Sequence, residues 1–201
     1  ADRTLRLETT RPVEFGPVAV ASPRLPKIPP LTLRFSPRIA ASRERVVFNC
    51  DDLTIVSPDG DRVTLEVTAS QDAKTNATRF SGRIAGELPT LLASPQHALP
   101  FGLGARWDAT ATPETLHVET LELTARRTDA ATPALSLALL RPIDFAGPGA
   151  AVRDRDVDLL QLEVHDLPLA WIARWRHTTE LSGTWSAGES ALRRTATGRG
   201  F

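Results

Sequence analysis

The sequence predicts a mostly β protein: an antiparallel, strongly curved sheet, open as a groove or "taco", with one short helix. Three observations carry this. Apolar and polar residues alternate with period two over most of the chain. Turn signals rich in Pro and Gly separate the alternating runs. Helical periodicity is thin. Strands with one apolar face must cover it, either with a second sheet or around apolar cargo. A closed β-sandwich is therefore the alternative architecture.

The strands follow in order. Val46, Phe48 and Cys50 share one alternating face, which predicts a buried Cys50. Ser57, Pro58, Asp59, Gly60 and Asp61 form a strong turn signal, so residues 46–69 are expected to be a hairpin. Val63, Leu65, Val67 and Ala69 alternate with Thr64, Glu66 and Thr68. Leu103, Ala105, Trp107 and Ala109 form the next apolar series, followed by Leu116 and Val118, then Leu121, Leu123 and Ala125. The phase slips by one between Val118 and Leu121, which predicts a β-bulge or short turn. Leu135, Leu137 and Leu139, then Leu160, Leu162 and Val164, continue the style. Residues 22–30 carry four prolines and are expected to be loop, edge or polyproline-like. The sequence 147–149, Gly-Pro-Gly, marks another loop. Leu88–Leu92 has room for one helical turn. The best helical segment is 167–175, with Asp166 as N-cap, Pro168 in the first turn, and Trp171 and Trp175 on one face.

One feature suggests repetition. Residues 5–15, LRLETTRPVEF, align without a gap to 135–145, LSLALLRPIDF. At nearly the same offset Leu31, Leu33 and Phe35 meet Leu160, Leu162 and Val164. Chance similarity of two strand-plus-proline segments is the plain alternative. The other reading is a repeat of about 130 residues, with stacked modules sharing a continuous sheet or core. On that reading residues 1–134 form one module, and 135–201 begin a second.

Composition narrows function. The 201 residues are 41% hydrophobic but only 5% aromatic, so the apolar supply is aliphatic. Acyl chains need such smooth walls and no directional partner. Basic and acidic residues number 24 each, which gives no electrostatic case for nucleic acid. The chain has no Met and a single Cys. A fragment or processed chain is expected, without an internal disulfide or a Cys-rich metal site. No run approaches the roughly 20 apolar residues of a membrane helix.

No constellation of catalytic type emerges. His97, His117, His165 and His177 show no metal-ligand spacing. His117 lies between Leu116 and Val118 and so belongs to the solvent face. Asp51–Asp52 and the series Asp154, Asp156, Asp158 are the only candidates for a cation site. The interleaved Arg153 and Arg155 make the second a solvated, self-paired edge. A carbohydrate-active enzyme usually clusters acids with aromatics, and Tyr is absent. The expectation is no enzyme, no catalytic residue, no metal and no cofactor.

Residues 166–175, DLPLAWIARW, followed by 181–188, LSGTWSAG, resemble a recurrent segment of the AsmA-like and TamB proteins. There a strand ending in LPL leads to a short helix, and LSG opens the next strand. The phrase 141–145, RPIDF, also resembles their inter-module wording. These words cover about 35 residues, and the proline-rich 22–30 segment departs from the pattern. The resemblance implies a periplasmic or inner-membrane-anchored envelope protein of a two-membrane bacterium. Its apolar β groove would carry phospholipid or another acyl-chain lipid between membranes. Neighbouring repeats, and an outer-membrane partner, are the implied protein contacts. The expected groove lining is Val63, Leu65, Val67, Leu103, Ala105, Leu116, Val118, Leu121, Leu123, Leu135, Leu137, Leu139, Leu160, Leu162 and Val164. A structural or binding β-sandwich module without lipid is the alternative function.

Overall fold

The computed structural model describes residues 4–18, 30–90, 100–146, 158–169 and 184–193. These residues form thirteen strands. They are β1 (Leu5–Glu8), β2 (Val13–Val18), β3 (Leu31–Phe35), β4 (Arg38–Ala41), β5 (Arg45–Val56), β6 (Arg62–Asp72) and β7 (Thr78–Leu88), then β8 (Phe101–Ala111), β9 (Thr115–Arg127), β10 (Leu135–Leu139), β11 (Ile143–Ala146), β12 (Asp158–Pro168) and β13 (Thr184–Arg193). All belong to one antiparallel sheet, ordered β1-β4-β5-β6-β7-β8-β9-β10-β12-β13. Among the described residues no pairing joins the two ends, so the sheet is not closed into a barrel. β2, β3 and β11 attach as continuations of neighbouring strands: β3 pairs with β2 and β5, and β11 with β9.

The hairpin expected at 46–69 is β5–β6. Its turn is held by the Ser57 amide donating to the Asp61 carbonyl (2.9 Å) and the Asp61 amide donating to the Ser57 hydroxyl (3.0 Å). Gly60 has φ +94°, a conformation that costs a Cβ-bearing residue. The Thr90 amide and hydroxyl also donate to the buried Asp61 carboxylate, which ties the end of β7 to this turn.

Three ladder positions are broken by proline. β1 and β2 are halves of one line interrupted before Val13, where Arg11 and Pro12 lie. β3 and β4 are halves interrupted at Ser36 and Pro37, and both pair with β5. β10 and β11 are halves interrupted at Leu140–Pro142, and both pair with β9. Proline cannot donate to a ladder, so each break falls where the sequence removes the N–H. Two long strands carry a bulge near this level. In β5 the register shifts between Cys50 and Leu53. In β9 Asp108 pairs with Thr120 and Ala109 with Val118, leaving Glu119 as the extra residue. That is the slip expected between Val118 and Leu121. Breaks and bulges therefore fall in one band across the sheet, the β5 bulge between the levels of Leu65 and Val67 and the β9 bulge between those of Thr68 and Ala69. Since bulges bend and twist a strand, this band makes a crease.

The structure corrects several local expectations. Leu88 ends β7 rather than opening a helical turn, and Leu91 and Leu92 lie outside the described residues. β12 runs through Pro168, because Leu167 and Pro168 pair with Trp185 and Thr184 of β13. Sheet pairing there overrides the capping signal of Asp166, whose φ is +47°. Leu169, just after β12, is helical, and residues 170–175 of the expected helix, the 22–30 and 147–149 loops, Asp154 and Asp156, and the LSG of 181–183 fall outside the described residues. β7 was not legible as a strand, because Gly82 and Gly86 interrupt its apolar series.

The two eleven-residue phrases have the same form: a short strand, a break at Arg-Pro, and a second short strand. The further match of 31–35 with 160–164 does not extend to pairing. Leu33 pairs with Phe15, whereas Leu162 pairs with Leu137. The counterpart of Leu162 by register is Ile39, which pairs with Leu7.

Candidate functional site

Register fixes which side chains share a face, because partners opposite one another in a ladder point the same way. Followed strand to strand, the pairings draw apolar rows across the sheet. One row is Phe15, Leu33, Ile55, Val63, Gly86, Leu103, Ala125, Leu135 and Val164. The next is Leu53, Leu65, Ile84, Ala105, Leu123, Leu137 and Leu162. A third holds Cys50, Val67, Gly82, Trp107 and Leu121, with Leu139 and Leu160 paired further along. Beyond the crease come Leu7, Ile39, Phe48, Ala69, Phe80, Ala109, Val118 and Ile143. Leu116 and Phe145 pair in a fifth row.

All fifteen residues expected to line a groove lie on this one face. The bulges make that possible. Without the extra residue Glu119, Leu116 and Val118 would fall on the face opposite Leu121 and Leu123. Sequence reading did not place Leu53, Ile55, Phe80, Ile84, Ile39, Ile143 or Phe145 among the lining residues. The signal was present for Leu53 and Ile55, but it needed the β5 bulge to be recognised.

Among the described residues no second layer covers this face. Leu65, Ile84, Leu123, Leu137 and Leu162 are only half-buried despite central positions. Toward the first edge Leu5, Leu7 and Phe15 are 60%, 55% and 55% exposed. Two regions are tighter. Cys50, Ala109 and Ile143, all on the apolar face, are buried beside this band of breaks and bulges. Leu88, Phe101, Ala134, Val164 and Leu167 form a small core at the opposite margin, packed by Val63, Leu103, Ala125, Leu135 and Leu162. Trp107 lies over Gly82: a Cβ there would sit 2.4 Å from its ring and 2.5 Å from the Glu66 carbonyl oxygen. The glycine thus makes room for the largest side chain of the inner rows.

The other face is polar and self-paired. Arg79 makes two bonds to Asp108 (3.1 and 2.7 Å), and Arg83 pairs with Glu66 opposite it. Arg126 and Glu87 meet at 3.7 Å across Gly102 of the strand between them. The Arg79 bonds hold the Asp108 carboxyl below its ordinary range. At the β5 bulge the Ser36 hydroxyl and amide donate to Asp52 (2.7 and 2.8 Å), and the hydroxyl bond chiefly lowers that pKa. Asp51 pairs with Arg38. The Asp51–Asp52 pair thus serves the bend. His117 lies on the polar face as expected, its ring between Asp144 (2.6 Å) and Glu119 (2.9 Å). The bond to Asp144, then that to Glu119, raises its pKa. Among the described residues no group of three His, Cys, Asp or Glu side chains is arranged to hold a metal, and no helix is long and apolar enough to cross a membrane.

The candidate site is therefore the inner apolar face of a creased open sheet. No protein-family model, curated protein or solved structure matches the chain.

Proposed function

We propose that this chain is a module of an AsmA/TamB-like envelope protein whose creased apolar face holds phospholipid acyl chains. The observation that carries the reading is the set of apolar rows, up to nine strands wide, that no described layer covers. Ladder positions lie about 4.8 Å apart, so nine of them span about 38 Å. Cover over roughly 400 Å² of that face is worth about 10 kcal/mol at 25 cal/mol per Å². Acyl chains suit it because its walls are mostly Leu, Val, Ile and Ala, and the inner rows hold no charged side chain, with Trp107 and Cys50 their only side chains bearing an N–H or S–H. The polar face, closed by its own ion pairs, suits solvent. The sequence resemblance supplies the setting: a periplasm-facing protein, anchored in the inner membrane, that passes lipid toward the outer membrane with neighbouring repeats.

The test is a photo-activatable residue at Leu123 or Leu137 in the parent protein in cells. Phospholipid adducts at these positions, and none at Glu122 or Ser136, are expected. A full series of inner-face positions that never capture lipid would overturn the proposal. Capture of a protein sheet instead would favour the structural module without lipid cargo.

A further inference from the structure

The outer edge of β1 and β2 is open among the described residues. β1 pairs with β4 alone, and β2 with β3 alone. Open edges present unpaired backbone N–H and C=O groups to any strand that fits. This edge also carries exposed Leu5, Leu7 and Phe15, of which Leu7 and Phe15 each end an apolar row. Rows and ladder stop together here.

The molecule contains a second version of this edge with its partner in place. The phrase of β1–β2 recurs as β10–β11, with the same break at Arg-Pro. On one side β10 pairs with β12 as β1 pairs with β4: Leu137 opposes Leu162, and Leu7 opposes Ile39. On its other side β10–β11 is covered by β9. The registers there are Leu135 with Ala125, Leu137 with Leu123, Ile143 with Val118 and Phe145 with Leu116. The extra residue Glu119 lets β9 follow the break on its neighbour.

We infer that the open β1–β2 edge is a docking site for a bulged antiparallel strand of the β9 type. Such a strand has apolar residues in the order x, x+2, bulge, x+5, x+7, x+9, and comes from an adjoining module. Carried over by the repeat, the register sets the Ala125 equivalent opposite Leu5, the Leu123 equivalent opposite Leu7, the Val118 equivalent opposite Val13 and the Leu116 equivalent opposite Phe15. A straight strand meets only half of this edge, because its phase is wrong beyond the break. The inference rests on the repeat and the pairing, and stands apart from the lipid reading.

The probe is a synthetic peptide with the sequence of Thr115–Arg127, added to the whole chain. Hydrogen exchange is followed by mass spectrometry. Saturable binding is expected, with at least tenfold slower exchange confined to residues 5–8 and 13–18. A peptide lacking the Glu119 equivalent should protect only one of these two segments. Leu5→Lys and Leu7→Lys, both at exposed positions, should weaken binding at least tenfold with the circular dichroism spectrum unchanged. The inference fails if the peptide does not bind at millimolar concentration, if protection falls elsewhere, or if a scrambled peptide protects equally.

Discussion

Single residues decide how the two faces differ. Gly82 permits the Trp107 ring to lie against β7, and a methyl group there meets both a ring and a backbone oxygen, neither of which yields readily. Gly82→Ala is therefore expected to cost about 1–3 kcal/mol, the usual range for overpacking. A urea-unfolding midpoint measures it, and Gly60→Ala offers a comparison in which open space leaves only the positive φ as a cost. His117 supplies a second test. Its folded pKa is raised by Asp144 and Glu119, so the protonated ring favours the folded state. That contribution is fully present below the unfolded value of about 6.5, and is lost as pH rises through the folded pKa. Stability should decline from pH 6 to pH 8 in the native chain, and the decline should shrink in His117→Gln. The side chain is 39% exposed, so the effect is small and is best read from the histidine titration by NMR. These details were only partly legible. The alternation around His117 put it on the solvent face. Its carboxylate partners come from a neighbouring strand and from the bulge, and neither is visible without the register.

At the scale of elements, strands and turns were the legible part. Period-two runs gave β6, β8, β9, β10 and β12, and the phase slip pointed to a bulge or short turn where β9 has its bulge. β7 was hidden because glycine carries no hydrophobic signal, although its glycines serve the packing. The β12 end was misjudged because Asp166 and Pro168 satisfy the local rules for a helix start, while long-range pairing with β13 decides the outcome. The bulge has a testable consequence. Deleting Glu119 shifts the phase, so either Leu116 and Val118 turn to the polar face or the crease straightens. A loss of about 2 kcal/mol or more is expected from the exposed apolar area. Denaturant unfolding measures it, and weakened protection of β11 in hydrogen exchange locates it, since among the described residues β11 pairs with β9 alone.

For the whole molecule, the sequence conveyed that strands had one apolar face, but not what became of that face. Openness depends on how sheet ends meet, and no local pattern encodes that. That three proline breaks and two bulges fall in one band of the sheet is likewise a property of register. It links segments from Arg11 to Pro142. An open sheet whose apolar rows stay uncovered among the described residues is the physical basis of the lipid binding proposed above. The most direct measurement is a photo-crosslinking scan of every residue from Thr115 to Ala125 with phospholipid as the captured species. Lipid capture is expected at Leu116 and Val118, then at Leu121, Leu123 and Ala125, with His117, Glu122 and Thr124 silent and the period changing phase at Glu119. Capture without that phase change, or equal capture on both faces, would contradict the account.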